Sequence, residues 1–195
     1  MAEIVLFHHA RGLTDGVVGF AESLREAGHT VHTPDLYEGR TFPSISAGVA
    51  NAEEIGFGTV IERGWTAMEG MAGALVLAGF SLGVLPAQSV AQKRPGVLGG
   101  IFYHGVAPPS MLGGEWPAGL PLQVHFMEED PWADEDLEVA RGLQAAEDAA
   151  ELHLYPGSGH LFADPGSDAY DPEAATLLLE RSLEFLARID GSAGV

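Results

Sequence analysis

The 195-residue sequence contains no cysteine, and only 9 lysines and arginines stand against 28 aspartates and glutamates. The first absence excludes disulfides, thiolate metal sites, iron–sulfur clusters and a cysteine nucleophile. The second leaves a net charge of −19 at pH 7. That field repels phosphate and argues against DNA, RNA or an anionic membrane as partner. Long hydrophobic runs are missing too. The longest apolar stretch, which ends at Phe80, falls well short of the roughly 20 residues that span a bilayer. Met1–Phe7 enters an apolar run without a basic leader or a small-residue cleavage site. It reads as a strand rather than a signal peptide, and a cytoplasmic location is expected. What is present is a globular composition, 46% hydrophobic and 19% charged, sufficient for one domain over residues 1–195.

Short apolar runs alternate with longer amphipathic stretches, the pattern of a mainly parallel sheet covered by helices in a three-layer α/β arrangement. Strands are expected at Glu3–Phe7, Thr30–Thr33, Ala74–Ala78, Val97–Tyr103, Leu122–Met127 and Glu151–Leu154. Their Val, Ile, Leu and Phe content suits burial on both faces. Helices are expected from an N-cap at Asp15 to about Gly28, over Ser44–Gly56, Thr59–Met71, Leu82–Lys93 and Asp134–Asp148, and from Pro172 to Ile189. The Gly/Pro-rich connections Gly105–Pro121 and Pro156–Asp171 are long enough to be functional loops.

Gly79-Phe80-Ser81-Leu82-Gly83 lies between an expected strand and an expected helix. A serine on such a turn is lifted off the sheet edge, and the flanking glycines let the backbone pass without clash. Its hydroxyl also lies at a helix N-terminus, where the backbone dipole favours negative charge. Serine needs a base within hydrogen-bond reach and a third group to orient that base. The loop after the sixth strand offers His160 in Pro156-Gly157-Ser158-Gly159-His160; the loop after the fifth offers Asp130, with Glu129 as the alternative acid. All three loops fall on one sheet edge, and Ser81, Asp130, His160 is the nucleophile–acid–histidine order of α/β-hydrolases.

With Pro34-Asp35-Leu36-Tyr37, Tyr103-His104-Gly105 and Tyr155-Pro156-Gly157-Ser158-Gly159-His160-Leu161-Phe162 beside the elbow and Asp130, the chain resembles the dienelactone hydrolase family over essentially its whole length. The spacings of 49 and 30 residues between the three positions are close to the family's. The resemblance implies an α/β-hydrolase fold without the leading strands of larger members. It also implies hydrolysis of a small ester, lactone or thioester through an acyl-enzyme, without a cofactor. The oxyanion would be held by the backbone amides of Ala10, after the first strand, and Leu82, after the nucleophile. Three positions depart from the family's namesake. Ser81 stands in place of its cysteine, His9 in place of a glutamate in the first loop, and Asp164 in place of an arginine that meets the substrate carboxylate. An aspartate there would repel such a group.

His9, Arg11, His104, Trp132 and Asp164 are therefore expected around the substrate pocket, with Trp132 and Trp116 in loops overhanging it. His8 and His9 should point to opposite faces. Only His9, His104 and His160 could converge on a metal, and no H-E-x-x-H pattern supports one. The run Asp134-Glu135-Asp136 reads as carboxylates complementing a helix dipole, with no chemistry assigned. Two other readings remain open: a non-catalytic binding or regulatory protein on the same fold, and a metal-dependent hydrolase built on those three histidines. The sequence fixes no oligomeric state.

Overall fold

The structure, a computed structural model, describes residues 1–71 and 73–192. Six strands, β1 (Glu3–Phe7), β2 (Thr30–His32), β3 (Leu75–Phe80), β4 (Val97–Tyr103), β5 (Leu122–Met127) and β6 (Ala150–Tyr155), form one sheet in the order β2-β1-β3-β4-β5-β6. Every pairing is parallel, so all strands end on the same edge. The order reverses between β1 and β3, the topological switch point where an open parallel sheet leaves a crevice beyond its carboxyl ends.

The helices are α1 (Asp15–Glu26), α2 (Ile45–Ile55), α3 (Phe57–Ala67), α4 (Val84–Lys93), α5 (Asp134–Ala146) and α6 (Pro172–Ser192). Period-two alternation along the strands divides the core in two. Ile4, Leu6, Val76, Ala78, Ile101 and Tyr103 meet Val17, Phe20 and Leu24 of α1 and Leu178, Phe185 and Leu186 of α6. Val5, Phe7, Leu75, Leu77, Phe102 and Val124 meet Ala52 of α2, Val60 of α3, Ala87 and Val90 of α4, and Ala140 and Leu143 of α5. This is the three-layer α/β arrangement expected, with the sheet wholly rather than mainly parallel.

Several boundaries differ from expectation. The N-cap of α1 is Thr14, whose hydroxyl accepts from Val17 N–H, and not Asp15. β3 continues to Phe80 and β6 to Tyr155, two residues and one residue beyond the expected ends. A single 3₁₀ turn over Ser81–Gly83 precedes α4. Among the described residues no helix is long and apolar enough to cross a membrane.

Candidate active site

Strand register delivers the candidate residues to one place. Phe7 pairs with Gly79, Phe80 with Tyr103, Tyr103 with His125 and Met127 with Tyr155. The loops that follow therefore emerge side by side: His8 onward, Ser81, His104, Glu128–Asp130 and Pro156–His160. Glycine is required where they crowd. A Cβ on Gly83 would overlap the carbonyls of Phe7 and His8, and one on Gly79 would overlap the carbonyl of Gly83. These approaches seat the turn after β3 against the start of the first loop, the segment that leads to Ala10. Ser81 itself has φ +49°, a left-handed conformation that L side chains adopt only at a cost.

Ser81 Oγ lies 2.7 Å from His160 Nε2, and His160 Nδ1 lies 2.7 Å from Asp130 Oδ2. A carboxylate only accepts, so Nδ1 carries the proton and Nε2 is left to accept from the serine hydroxyl. Asp130 is fixed in turn: its Oδ1 accepts from Trp132 N–H at 3.0 Å, and its carboxyl is inaccessible to solvent. Glu129 is exposed and contributes only its backbone, donating to Gly157 O at 3.0 Å. The chain from hydroxyl to imidazole to carboxylate is the arrangement that can make a serine nucleophilic.

Two clefts open beside Ser81. One, of about 260 Å³, runs between the 105–111 segment and α5 and is walled by Val84, Val106, Pro108, Met111 and Val139. The other, of about 340 Å³, lies under Ile45, Val49, Phe57 and Trp132 and reaches His104 and His160. Trp132 is 49% exposed, and its ring is 6.0 Å from that of His160. Trp116 does not overhang the site. It is buried against Phe102, and its indole N–H donates to Leu120 O. His104, also at positive φ, is buried between Phe80 and Phe162, 5.9 Å from the His160 ring; among the described residues neither ring nitrogen has a hydrogen-bond partner. Burial first, then the neighbouring histidines, hold its pKa well below the ordinary value.

Asp164 and Arg11 line neither cleft. Asp164 Oδ2 accepts from His9 Nε2 at 2.7 Å and stands 4.0 Å from Arg11 Nη1; its Oδ1 accepts from Gly166 N–H. Burial alone would raise its pKa. The hydrogen bonds from His9 and Gly166 and the charges of His9 and Arg11 outweigh that and hold it low. Arg11 donates to the Phe42 and Gly166 carbonyls and lines a separate groove with Thr14 and Thr41. The expected repulsion of a substrate carboxylate by Asp164 is thus not what the geometry provides. His8 and His9 do diverge: His8 Nε2 accepts from Leu36 N–H on the β2 side, while His9 turns to Asp164. Among the described residues, no group of three or more His, Asp or Glu could hold a metal ion.

An acidic residue assigned no chemistry from the sequence lies in both clefts. Asp136, in the first turn of α5, shares both with Ser81, and its Oδ2 accepts from Val106 N–H at 3.1 Å. Its place in an acidic helix start gave no separate signal. The useful clue was that α5 begins four residues after Asp130, which brings its first turn to the same edge.

These features define an α/β-hydrolase fold. The chain belongs to the dienelactone hydrolase family, whose model matches residues 1–190. A curated relative from Bradyrhizobium sp, named "Probable 2-oxo-3-(5-oxofuran-2-ylidene)propanoate lactonase", is 34% identical over 68 residues, 34% of this chain and 27% of its own length. A second, from Azospirillum brasilense, is 30% identical over 86 residues, 44% of this chain and 37% of its own. The matched regions thus span well under half of either relative. Among solved structures, the dienelactone hydrolase-like promiscuous phosphotriesterase P91 from metagenomic libraries superposes with a TM-score of 0.77 at 17% identity, over 97% of this chain and 87% of that one. Dienelactone hydrolase from Anabaena variabilis gives 0.62 at 19%, over 96% and 86%.

Proposed function

We propose that the protein is a serine hydrolase of small esters, lactones or thioesters, with Ser81 as nucleophile, His160 as general base and acid, and Asp130 as the group that orients the imidazole. The observation that carries this is the hydrogen-bonded chain Ser81 Oγ, His160 Nε2 and Nδ1, Asp130 Oδ2, with both links at 2.7 Å. Family membership supports it independently.

In the reaction, Oγ bonds to the carbonyl carbon as its proton passes to Nε2. The alkoxide or thiolate leaves and takes that proton back. Water then repeats the sequence on the acyl-serine, releasing the acid and restoring Ser81. The amides of Leu82 and Ala10 are assigned to the oxyanion; each such donor is worth about 3–4 kcal/mol in the transition state. The step needs no cofactor.

A fluorophosphonate probe read by mass spectrometry tests the assignment, alongside turnover of short aryl esters. Labelling at Ser81, with kcat lowered about 10⁴-fold or more in Ser81→Ala, is expected. Absent labelling with full activity in Ser81→Ala would remove Ser81 from the mechanism.

A further inference from the structure

We infer that Asp136 sets substrate charge preference, favouring an ester or thioester whose cleft-bound end carries an ammonium group and disfavouring one that ends in a carboxylate or sulfonate. This rests on the hydrolase reading of Ser81.

The inference comes from the charges in the two clefts. Asp136 is half-buried and lines both clefts, as Ser81 does. Glu135 adds a second carboxylate to the smaller cleft. Neither cleft is lined by lysine or arginine, and the two arginines of greatest interest lie elsewhere: Arg11 is engaged with the Phe42 and Gly166 carbonyls, and Arg63 with Leu36 O and Glu38. His104, buried and unpartnered, supplies no positive charge either.

Burial raises the Asp136 pKa, and the Val106 N–H and His160 work against that rise. A substrate anion therefore meets a carboxylate with no lysine or arginine in either cleft to offset it, in a site partly shielded from water, where charge interactions are stronger than in bulk. A cation meets the opposite. Trp132 and Phe57 also line the larger cleft, and aromatic rings attract an alkylammonium. Asp136 is held in this role by Val106 N–H, which binds one carboxylate oxygen and leaves the other for a ligand. The preference is opposite in sign to that of a site where an arginine receives a carboxylate.

Three butyryl thioesters of matched size test this with one thiol assay: butyrylthiocholine, its uncharged isostere with a tert-butyl group in place of trimethylammonium, and the ester of mercaptoethanesulfonate. The wild-type protein is expected to favour the cationic over the neutral thioester about tenfold in kcat/KM, and to disfavour the anionic one by a similar factor, from an interaction of about 1.4 kcal/mol. Asp136→Asn keeps the acceptor for Val106 and should reduce both ratios several-fold, Glu135 accounting for the remainder. Glu173→Gln removes an exposed carboxylate from the first turn of α6 and should leave both unchanged, which separates Asp136 from the general field of an acidic protein. Ratios left unchanged by Asp136→Asn overturn the inference. Quenching of tryptophan fluorescence by choline reads the same preference without turnover. Choline affinity that falls several-fold in Asp136→Asn supports the role of Asp136 even if Ser81 proves inert, and unchanged affinity there counts against it. Loss of fluorophosphonate labelling would reject the hydrolase reading alone.

Discussion

His9 and Asp164, 155 positions apart, form a buried hydrogen-bonded pair, with Nε2 and Oδ2 2.7 Å apart. The pair ties the loop after β1, which carries Ala10, to the loop after β6, which carries His160. Asp164→Ala would leave His9 wholly buried with neither ring nitrogen partnered, since its Nδ1 already has no partner among the described residues. An orphaned buried polar group costs about 1–3 kcal/mol, so urea unfolding should show a loss of that size. Because Asp164 lines neither cleft, the effect on turnover should fall on kcat, roughly tenfold, with KM little changed. Wild-type stability in Asp164→Ala would remove the pair from this account.

Gly16 explains how the carboxylate fits. It is the second residue of α1, and a Cβ there would overlap the Asp164 carboxyl. The space vacated lets an anion rest at a helix N-terminus, where the dipole favours it. Gly16→Ala should cost about 1–3 kcal/mol by forcing the two groups apart. Combined with Asp164→Ala it should cost less than the two losses added together, a coupling that a double-mutant cycle measures. Additive losses would mean that the alanine methyl does its damage elsewhere.

β1 and β3 were legible because burial makes them short, nearly uninterrupted apolar runs, although the edge strands β2 and β6 are only partly buried and carry polar residues. The turn after β3 was legible because Gly79 and Gly83 bracket a serine between strand and helix. Chain order then placed Asp130 and His160 on the same edge, since every parallel strand ends there. Long-range pairing was not legible. Asp164 reads in sequence as a free acid in the position of a substrate-binding group, and only the fold shows it joined to His9. Asp136 was hidden for a different reason: a carboxylate in the first turn of a helix has a sufficient local explanation, so nothing marked the one that lines the same clefts as Ser81. Trp116 has the loop setting of a pocket residue, yet its side chain returns to Phe102 in the core.

Acid should destabilise the protein well before its carboxylates protonate. Burial lowers the His8 pKa to about 4, and the neutral ring accepts from Leu36 N–H. The unfolded chain binds this proton near pH 6.5 and the folded one only near pH 4. The stabilisation is therefore complete above pH 6.5 and is lost as pH falls towards 4, on the order of 3 kcal/mol in all. His104 and His125, also lowered chiefly by burial, act in the same direction. Relief of acidic self-repulsion sets in later, near the ordinary carboxylate pKa of about 4. Urea midpoints should fall between pH 7 and pH 5, and His8→Gln should flatten part of that slope. A constant midpoint over that range would show that these rings accept protons without loss of structure.

The left-handed backbone at Ser81 is separable from its hydroxyl. At φ +49° a side chain of any kind strains the turn, whereas glycine takes this conformation freely. Ser81→Ala and Ser81→Gly both remove the hydroxyl, so their difference reports the backbone alone. Gly to Ala at an ordinary φ stabilises by about 0.4–1 kcal/mol through the unfolded chain; here the sign should reverse. Ser81→Gly is expected to be more stable by about 1 kcal/mol and to melt about 2–4 °C higher. If the alanine variant melts higher instead, the turn is relaxed, and the aim of Oγ at His160 depends on the close approaches of Gly79, Gly83 and Gly105 rather than on strain held at Ser81.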